Sequence, residues 1–532
     1  STLSSSSAAS DVYKRQRMSK YRDAMVASNN MVSWHPESVK DGRMGNFLSN
    51  AIDWNLSRDR YWGTPLNIWK CNKCGKLHSI GSRQELCDLT GAAEIKDLHK
   101  PYIDQFTFPC ECGGTMERVP QVIDCWYDSG AMPFAQWHYP FENKDKFKEQ
   151  FPADFICEAQ DQTRGWFYSL QAIGTTVFKT TPYKAVVMCG HVADKNGQKM
   201  SKSLGNVVDV NDLIDKYGAD TVRFYFCSNS APWLGQKLDE DGIVEVQRKT
   251  ISTLWNTYAF FVLYANIDDF KPADSPFKCK LNLMDKWLLS QLNALEGKIA
   301  KFMADFDFTS STREIADFID VLSNWYVRRS RERFWTDGEN EDKTAAYNTL
   351  YYTLVELTKI CAPFMPFISE NIYRNLVSIM PNAKESVHLC DYPTANADLI
   401  DETLNEQMQE VIRIVELGRA GRNASSIKNR QPLNNLYIYS SNKIELNQDL
   451  LDIIADDLNV KNVRFIENPQ EYITFELKPQ LKTLGPKYGK NLGLIREYLA
   501  NCNAYEMVAH LQKGESVVVL SLIHISEPTR PY

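Results

Sequence analysis

The sequence predicts an α/β domain that carries a small metal-binding insertion, followed by a bundle of α-helices and a small α+β region. Three observations lead to this prediction. Apolar runs at 151–158 and 183–193 have the composition of buried strands, and each is followed by a polar turn and a helical pattern. Two short-spaced cysteine pairs precede these runs, within 71–112, and long segments with apolar residues at helical spacing begin near residue 245.

Composition limits the function classes that fit the chain. Its 532 residues, 43% of them hydrophobic, are enough for about three domains with sizeable cores. A net charge of −7 argues against a generally basic surface, so any contact with nucleic acid must come from local patches. Thirteen scattered cysteines favour a reducing, cytoplasmic compartment. No apolar run approaches the roughly 20 residues that span a bilayer, and no secretory signal pattern is found.

The first element along the chain is a candidate zinc site. Cys71 and Cys74 form one short-spaced pair, Cys110 and Cys112 form a second, and each pair is followed by glycine, which lets the backbone curl around the sulfur atoms. Four thiolates that converge tetrahedrally suit Zn²⁺. Because such a site has no open coordination position, the metal is expected to stiffen the insertion without taking part in catalysis. Inert buried thiols are the alternative, and weaker substitutes for single ligands are His78, Cys87 and Cys125.

The predicted strand at 151–158 leads into a polar turn, and a helix is predicted to open at Gln162. Glu158, Asp161 and Gln162 therefore gather at the carboxyl end of a strand, where open parallel α/β sheets bind their ligands. A carboxylate suits an ammonium group, whereas Asp and Gln side chains suit hydroxyl groups. For Glu158 alone, the alternative is a surface or helix-capping carboxylate.

The next predicted strand, 183–193, leads to a polar loop with two lysines, Lys199-Met200-Ser201-Lys202-Ser203, and a helix is predicted over 209–226. Two ammonium groups on flexible stems can follow negative charge as it moves from a bound triphosphate to a departing pyrophosphate. Gly197 and Gly205 allow the loop to move. A solvated basic turn is the alternative, since short motifs also occur by chance.

Apolar residues at helical spacing predict an antiparallel bundle after the α/β domain. Its predicted helices are 245–267, 283–306, 310–335, 342–361 and 367–380. The segment 324–335 alternates basic with aromatic residues, which suits RNA because arginines bind phosphates and rings stack on unpaired bases. A helix with a solvated basic face and a buried aromatic face is the alternative. The arginines concerned are Arg328, Arg329, Arg331 and Arg333.

From about residue 401 the pattern changes to a helix that ends near residue 420 and strand-like runs at 436–439 and 460–466. A second basic group accompanies these elements and suits either a grip on RNA or an ordinary surface. Its members are Arg419, Arg422, Lys428 and Arg430.

Four segments in order along the chain resemble motifs of one enzyme family. The Lys-Met-Ser-Lys-Ser loop resembles the signature loop of class I aminoacyl-tRNA synthetases. The segments 53–65, 124–134 and 161–167 resemble successive stretches of the isoleucyl-tRNA synthetases, and Gln162-Thr163-Arg164-Gly165-Trp166-Phe167 favours these over the related valyl and leucyl enzymes. The resemblance covers about 34–519. It implies the second half of a Rossmann-like catalytic domain with a zinc-binding insertion, an anticodon-binding bundle and a carboxyl-terminal α+β region that contacts tRNA.

The resemblance also implies roles for single residues of the nucleotide site. Lys199 and Lys202 are expected to act on ATP, with Lys202 the closer match to the family's ATP-contacting lysine. His191 is expected near the adenine, with an ordinary histidine at a strand end as the alternative. Ser57 and Arg58 either stabilise the active site from a neighbouring loop or, in the case of Arg58, only pair with a carboxylate.

The amino-acid side of the site follows from the same resemblance. Glu158 is expected to contact the aminoacyl-adenylate, and Asp161 and Gln162 to hold its ribose or amino group. Trp166 and Phe167 are expected to help shape the apolar side-chain pocket, with ordinary core aromatics as the alternative. Ala159 stands where the family usually has glycine, and its extra methyl group is expected to crowd the adenylate.

One family motif has no counterpart. Class I enzymes carry a His-x-Gly-His-type motif, and none of the eight histidines stands in such a setting; His35 is followed by Pro-Glu-Ser. The resemblance begins near the end of the family's editing insertion, so we expect the first half of the catalytic fold to be missing and the chain alone to be inactive or nearly so. The ends, 1–17 and 521–532, resemble translated adapter sequence and are expected to be foreign to the fold.

The predicted domains are the end of the editing insertion at 18–47, the catalytic half at 48–240 with its zinc insertion at 66–120, the bundle at 241–395 and the carboxyl-terminal region at 396–520. The intact enzyme is expected to activate L-isoleucine with ATP and Mg²⁺ and to transfer it to tRNA(Ile) as a monomer, with Zn²⁺ in a structural role. The alternatives are a non-catalytic tRNA-binding protein and a valyl- or leucyl-tRNA ligase.

Overall fold

The computed structural model describes residues 15–273, 275–338, 340–440, 444–467, 472, 477–512, 517–520 and 523–525. Two compact units make up the chain, Ser1–Ile400 and Asp401–Tyr532. The expectations for the two ends fall largely on residues 1–14, 521–522 and 526–532, which lie outside the described ranges.

The first part of unit one alternates short strands with helices. Its strands are β1 (Arg15–Gln16), β2 (Ser33–His35), β3 (Trp54–Asn55), β4 (Ser57–Arg58), β5 (Ile68–Cys71), β6 (Leu77–Ser79), β7 (Phe108–Pro109), β8 (Thr115–Arg118), β9 (Val122–Ile123), β10 (Ala153–Ala159), β11 (Tyr183–Cys189), β12 (Val192–Ala193) and β13 (Gln236–Lys237). Its helices are α1 (Arg22–Asn30), α2 (Gly45–Ser49), α3 (Arg83–Thr90), α4 (Cys125–Ala135), α5 (Lys144–Gln150), α6 (Trp166–Ile173), α7 (Val210–Tyr217) and α8 (Ala219–Asn229).

Three parallel strands form the central sheet in the order β10, β11, β2. β10 begins after Pro152, which has no N–H to donate to a ladder. Ile156 and Met188 pack in a core with Trp34, which lies edge-on to Phe167 of α6 at a centroid distance of 5.6 Å. Because all three strands run in one direction, their carboxyl ends share one edge of the sheet, as predicted from the apolar runs.

The segment predicted as one helix over 209–226 forms two helices, α7 and α8. Gly218 separates them with φ +84°, a value that side-chain-bearing residues rarely adopt, and its N–H donates to the carbonyl of Ile214 at 2.8 Å. The prediction of a continuous helix was therefore wrong.

The helical bundle follows, with α9 (Glu240–Val246), α10 (Ser252–Ile267), α11 (Leu283–Ala304), α12 (Phe308–Val321), α13 (Arg328–Trp335), α14 (Glu341–Cys361) and α15 (Pro366–Val377). Wide π-helical turns at Gln247–Ile251 and Leu322–Val327 interrupt two of the predicted helices without ending them.

One apolar core joins the bundle to α8, whose Phe224 is buried with residues of α10, α11, α12 and α14. Two polar contacts strengthen the joint. Asp220 of α8 accepts hydrogen bonds from the N-terminal N–H groups of Phe367 (3.3 Å) and Ile368 (2.6 Å) in α15, and Arg313 of α12 donates to the last carbonyls of α8. The helices that follow the lysine loop are thus tied to the bundle.

The second unit contains α16 (Glu402–Ala424), β14 (Leu433–Ile438), α17 (Gln448–Leu458), β15 (Val460–Phe465), α18 (Leu481–Tyr488), α19 (Leu492–Asn501), α20 (Ala504–Gln512), β16 (Val517–Leu520) and β17 (Ile523–Ile525). β14 and β15 pair in parallel across α17, while β16 and β17 pair antiparallel. Arg422 is buried and donates to the carbonyls of Leu458 and Lys428, so part of the second basic group serves the fold.

The part of the chain that the structure describes contains no helix both long and apolar enough to cross a membrane.

Candidate active site

The carboxyl edge of the central sheet brings together the predicted adenylate-site residues. Glu158 is the penultimate residue of β10, and its side chain is exposed. Asp161 and Gln162 lie in the 3₁₀ turn that follows, Gln160–Arg164. His191 follows the end of β11, the neighbouring strand, and is also exposed. Within the described ranges, the side chains of Glu158 and His191 form no hydrogen bond or ion pair, so their polar atoms are available to a ligand.

The sequence predicted that a helix opens at Gln162. In the structure Gln162 lies in the 3₁₀ turn and organises that turn instead. Its amide nitrogen donates to Asp161 Oδ2 at 3.0 Å, and its amide oxygen accepts from the N–H of Trp166 at 3.0 Å, where α6 begins. A Cβ at Gly165 would lie 2.8 Å from that oxygen, so a side chain there would displace the Gln162 amide. Asp161 keeps an exposed carboxylate, whereas both polar ends of Gln162 are already engaged.

Trp166 is anchored at the start of α6. Its indole N–H donates to the carbonyl of Ser129 at 3.1 Å, and its ring packs, half-buried, against the core of the central sheet. Ala159 has extended backbone angles, φ −75° and ψ 164°, which any residue adopts, so its methyl group creates no backbone strain.

A residue that sequence reasoning missed also holds this turn. Arg43 lies in the π-helical turn Lys40–Met44 and donates to Gln160 Oε1 at 3.0 Å and to Thr163 Oγ1 at 3.2 Å. The contact links positions more than a hundred residues apart, and no local motif surrounds Arg43. Only the folded chain could have identified it.

The lysine loop is built on Asp194 and Asn206, two further residues whose roles the sequence did not reveal. Asp194 Oδ1 accepts the N–H groups of Asn196 (2.9 Å) and Gln198 (2.8 Å), which closes a tight turn. The Asn206 amide donates to Asp194 Oδ2 at 3.0 Å, while its oxygen accepts the N–H of Ser201 at 2.9 Å. The hydrogen bond from Asn206, followed by those from the backbone, lowers the pKa of Asp194 below its ordinary value.

This framework presents both lysines to solvent. Ser201 caps the 3₁₀ turn Lys202–Leu204 by accepting the N–H of Leu204 at 3.3 Å. Lys199 and Lys202 are exposed, and within the described ranges neither forms an ion pair. The loop is attached to the sheet region through β12, which pairs in parallel with β13. The arrangement holds two cations on a braced but exposed loop, which suits a mobile polyanion.

Arg58 pairs with a carboxylate, which was one of the two roles expected for it. Its guanidinium forms an ion pair with Asp124, whose side chain is 3% exposed. Asp124 also accepts the N–H of Trp126 at 3.2 Å at the start of α4 and the indole N–H of Trp54 at 3.0 Å. Ser57 is buried in β4, which pairs with β9. Through Asp124, Arg58 therefore links β4 to the start of α4, while Ser57 is a buried residue of the fold.

The four predicted metal ligands converge in the insertion. This region is a four-stranded antiparallel sheet in the order β6, β5, β8, β7. The sulfur atoms of Cys71, Cys74, Cys110 and Cys112 all lie within 4.8 Å of one another. Zn–S bonds of about 2.3 Å in a tetrahedron need sulfur separations of about 3.8 Å, so the donor set fits Zn²⁺.

The cysteine turns are shaped by glycine and by backbone N–H groups. Gly75 and Gly113 both have φ +73°, and a Cβ at Gly114 would lie 2.7 Å from Cys71 Sγ. The N–H of Cys74, at 3.5 Å, is the main cause that lowers the pKa of Cys71 to about 6, while hydrogen bonds with the other thiols raise the pKa of Cys112 to about 12. The possible substitutes lie elsewhere: His78 contacts Glu85 at 3.1 Å, and the Cys125 thiol donates to Asp124.

The four arginines of the bundle differ in their surroundings. Arg333 binds both carboxylate oxygens of Asp285, each at 2.8 Å, and its side chain is 12% exposed. Arg328 donates to the carbonyl of Asn324 and lies over the ring of Trp325. Arg329 is half-buried, and Arg331 is exposed with no ion pair within the described ranges. Arg331 is the member of the set most open to a phosphate.

Comparisons with known proteins match two regions of the chain to known families. The family model of the class I tRNA synthetases (I, L, M and V) matches residues 15–238, and that of the anticodon-binding domain of tRNA ligases matches residues 285–437. The chain is 48% identical over 506 residues to the isoleucine–tRNA ligase of Clostridium acetobutylicum, an alignment that covers 94% of the chain and 48% of that protein.

Other relatives give the same picture. Isoleucine–tRNA ligase 2 of Bacillus cereus is 45% identical over 505 residues, again 94% of the chain and 48% of that protein. The crystal structure of LeuRS from Agrobacterium radiobacter K84, in a ternary complex with tRNA and LeuAMS, has a TM-score of 0.51 and 21% identity; the match covers 66% of the chain and 44% of that structure and shows a shared fold. The chain spans about half the length of the curated relatives it matches. These comparisons show that the chain carries catalytic-domain and anticodon-binding regions of a class I tRNA synthetase, and that these curated relatives are isoleucine–tRNA ligases.

Proposed function

We propose that this chain carries adenylate-forming and tRNA-binding parts of an isoleucine–tRNA ligase. The reaction joins isoleucine to ATP as isoleucyl-adenylate, with release of pyrophosphate, and then transfers the amino acid to the terminal ribose of tRNA(Ile). The observation that carries the proposal is the lysine loop, in which Asp194 and Asn206 brace Lys199 and Lys202 without neutralising them.

The two lysines act on the phosphates. When the isoleucine carboxylate attacks the α-phosphorus, the bond between that phosphorus and the oxygen that bridges it to the β-phosphorus breaks, and negative charge accumulates on the leaving pyrophosphate. Ammonium groups that are exposed in the free protein can contact this charge as it develops, which lowers the barrier to reaction. Mg²⁺ would accompany ATP and would supply further positive charge to its phosphates.

The edge of the sheet binds the rest of the adenylate. The exposed carboxylate of Glu158 suits the ammonium group of isoleucine, and the free oxygen of Asp161 suits a ribose hydroxyl group. Gln162 positions Asp161 and α6 through the two hydrogen bonds of its amide. Trp166 and His191 remain proposed contacts to the amino-acid side chain and the adenine.

Zn²⁺ is the proposed metal of the insertion, held by Cys71, Cys74, Cys110 and Cys112. With four protein ligands it would lock the two cysteine turns together and leave the chemistry to other groups. A reducing, cytoplasmic setting suits these thiols, because all thirteen cysteines of the chain are free. A monomeric state stays a prediction.

The bundle is the proposed contact surface for tRNA(Ile). The match to an anticodon-binding domain model and the exposed guanidinium of Arg331 support this assignment. We assign Arg328 and Arg329 a flanking role. Arg333 is engaged by Asp285 and Asp342, so we assign it to the stability of the bundle.

Isoleucine-dependent exchange of pyrophosphate into ATP tests the proposal. We would measure exchange with the chain alone and with the uncovered part of the Clostridium acetobutylicum relative added in trans, using isoleucine, valine and leucine in parallel. Exchange that requires isoleucine and is lost in Lys202→Ala supports the proposal. Lys301→Ala, an exposed lysine of α11, is the matched control and should retain exchange.

A tRNA-binding protein without catalysis is the second candidate, favoured by the separate anticodon-binding match. Retention of tRNA(Ile) binding with no exchange in either setting would support this candidate and refute the ligase proposal.

A further inference from the structure

Two thiols outside the zinc cluster lie in contact at the carboxyl edge of the central sheet. Cys157 of β10 and Cys189, the last residue of β11, have their sulfur atoms 3.4 Å apart. In the strand register Cys157 lies opposite Val187 and Ala159 opposite Cys189, so the two cysteines are diagonal neighbours on one face. Cys157 is exposed and Cys189 half-buried.

This pair differs from the cysteines of the insertion. Cys71 and Cys112 are equally close, at 3.4 Å, but they belong to a group of four possible ligands. Within the described ranges, no third cysteine, histidine or carboxylate completes a metal site at Cys157 and Cys189. Two isolated thiols in contact suit oxidation rather than tetrahedral coordination.

The two sulfur atoms have unequal acidity. The hydrogen bond between them is the main cause that lowers the pKa of Cys189 to about 7 and raises that of Cys157 above its ordinary range. Burial and the carboxylate of Glu158 oppose ionisation at both sulfur atoms. Cys189 is therefore the better nucleophile near neutral pH, and Cys157 the partner that resolves a mixed disulfide.

We propose that Cys157 and Cys189 form a redox modification site that a low-molecular-weight disulfide such as glutathione disulfide converts to an intrachain disulfide. The Cys189 thiolate attacks the oxidant, its S–S bond breaks, and one glutathione thiolate leaves. The Cys157 sulfur then attacks Cys189 Sγ and expels the second glutathione. Both protons pass to solvent or to the departing thiolates; the two cysteines are oxidised and the glutathione disulfide is reduced to two thiols.

Closing this bond must move the strand ends. The sulfur separation must fall from 3.4 Å to about 2.05 Å. Because Cys157 and Cys189 are not directly opposite in the register, closing the bond draws the two strand ends toward the Cα separation of about 4.4–6.8 Å that is usual for a disulfide. Glu158 adjoins one cysteine, and Gly190 adjoins the other, so the shift falls on the edge that presents the candidate adenylate-site residues.

Gly190 transmits the shift toward the lysine loop. Its N–H donates to the carbonyl of Pro232 at 2.8 Å, and a Cβ there would clash with the carbonyl of Leu234, so the two backbones are in tight contact. A second hydrogen bond connects the same segments: the N–H of Gln236 donates to the carbonyl of His191 at 3.0 Å. This bond lies beside the β12–β13 pair, which carries the lysine loop. We therefore infer that oxidation loosens the lysine loop.

Peptide mapping of the whole purified chain tests the site itself. The chain, supplied with Zn²⁺, is treated with glutathione disulfide, alkylated at its remaining thiols, digested and analysed by mass spectrometry. A cross-linked pair of peptides that contain Cys157 and Cys189 is expected, reversible by dithiothreitol. Cys157→Ser should instead keep a glutathione adduct on Cys189, and Cys189→Ser should form neither product; Cys227→Ser, a half-buried thiol of α8, is the matched control and should behave like the unmodified chain.

Absence of the cross-linked peptides from the unsubstituted chain would overturn the proposal, and this result does not depend on whether a variant folds. Hydrogen–deuterium exchange of the oxidised and reduced chains tests the coupling without any nucleotide. Faster exchange is expected at the N–H groups of Gly190, Ser201 and Gln236, each of which donates a hydrogen bond in the reduced structure. Unchanged exchange in a fully cross-linked sample would refute the link to the loop. Neither readout depends on aminoacylation, so failure here and failure of the proposed ligase activity are distinguishable.

Discussion

Arg331 and Arg333 lie two positions apart in α13, yet the structure predicts opposite consequences of removing them. Arg333 donates to both oxygens of Asp285, at 2.8 Å each, and the Asp285 side chain is fully buried. Arg331 is exposed, and the described residues provide it with no ion-pair partner. We therefore expect Arg333→Met to affect stability and Arg331→Met to affect RNA binding.

The loss of unfolding free energy expected for Arg333→Met follows from the contacts that remain around the Asp285 carboxylate. After Arg333→Met, the carboxylate keeps the hydroxyl of Tyr326 at 2.7 Å and the N–H of Asn282 at 3.1 Å, but no cation. Removal of one partner from a buried ion pair costs about 3–5 kcal/mol of unfolding free energy, because the other charge stays buried. Arg331→Met should change the unfolding free energy by less than about 0.5 kcal/mol, as is usual for exposed positions.

Urea unfolding followed by far-ultraviolet circular dichroism measures the first effect. With a denaturant slope of about 3 kcal/mol per M, a loss of 3–5 kcal/mol lowers the midpoint of the bundle transition by about 1–1.7 M. Asp342→Asn is the internal control, since Asp342 contacts the same guanidinium but its side chain is 54% exposed. Its loss should cost no more than about 1 kcal/mol.

Binding of tRNA(Ile) at several salt concentrations measures the second effect. Arg331→Met should weaken binding and reduce the slope of log K against log salt by about 0.7–0.9, the value of one lost phosphate contact. The reasoning would be refuted if Arg333→Met left the urea midpoint unchanged, or if it lowered RNA affinity while the bundle kept its stability. Unchanged binding in Arg331→Met would remove this arginine from the proposed RNA surface.

Three further perturbations follow from the geometry. Asn206→Ala removes the hydrogen bonds that join Asp194 to the Ser201 N–H, so hydrogen exchange at that N–H should accelerate. Gln198→Ala should leave the exchange rate of the Ser201 N–H unchanged. Equal rates in the two variants would contradict the role assigned to Asn206. Cys110→Ser should abolish binding of one Zn²⁺ per chain, measured by elemental analysis, whereas Cys87→Ser should retain the metal; full zinc in Cys110→Ser would exclude this ligand set. Burial, with a smaller contribution from Glu356, raises the pKa of Glu296 from 4.5 to about 7. The free energy of unfolding should therefore fall as pH rises from about 4.5 through 7. Glu296→Gln should raise the free energy of unfolding in urea by up to about 3 kcal/mol at pH 8 and by much less at pH 5. An equal gain at both pH values would contradict the raised pKa.

Local sequence patterns were sufficient to predict those features that depend on residues adjacent along the chain. The runs at 151–158 and 183–193 predicted β10, which carries Glu158, and β11. The second run is not one strand, because β11 ends at Cys189 and β12 begins at Val192, with His191 between them. The predicted fold class is confirmed. The family assignment from the lysine loop and three motifs is also confirmed. The roles of the individual site residues stay proposals.

The errors came from backbone geometry that hydrophobic periodicity does not record. A helical pattern continues through Gly218, but the positive φ of that residue breaks the segment into α7 and α8. The helix predicted to open at Gln162 begins at Trp166 instead, because the Gln162 side chain caps it after a 3₁₀ turn. Apolar spacing predicts which face is buried, but it does not predict where a side chain or a glycine redirects the chain.

By itself, the sequence determined the cysteine pairs, the lysine loop, the main helices and the family, because each depends on residues close together along the chain. Only the tertiary structure decided which partners those residues meet. In the folded chain Arg43 donates a hydrogen bond to Gln160, Arg333 pairs with Asp285, and the sulfur atoms of Cys157 and Cys189 lie in contact. The physical reason is that a charged or polar side chain can be satisfied by many partners, and packing of distant segments selects one of them.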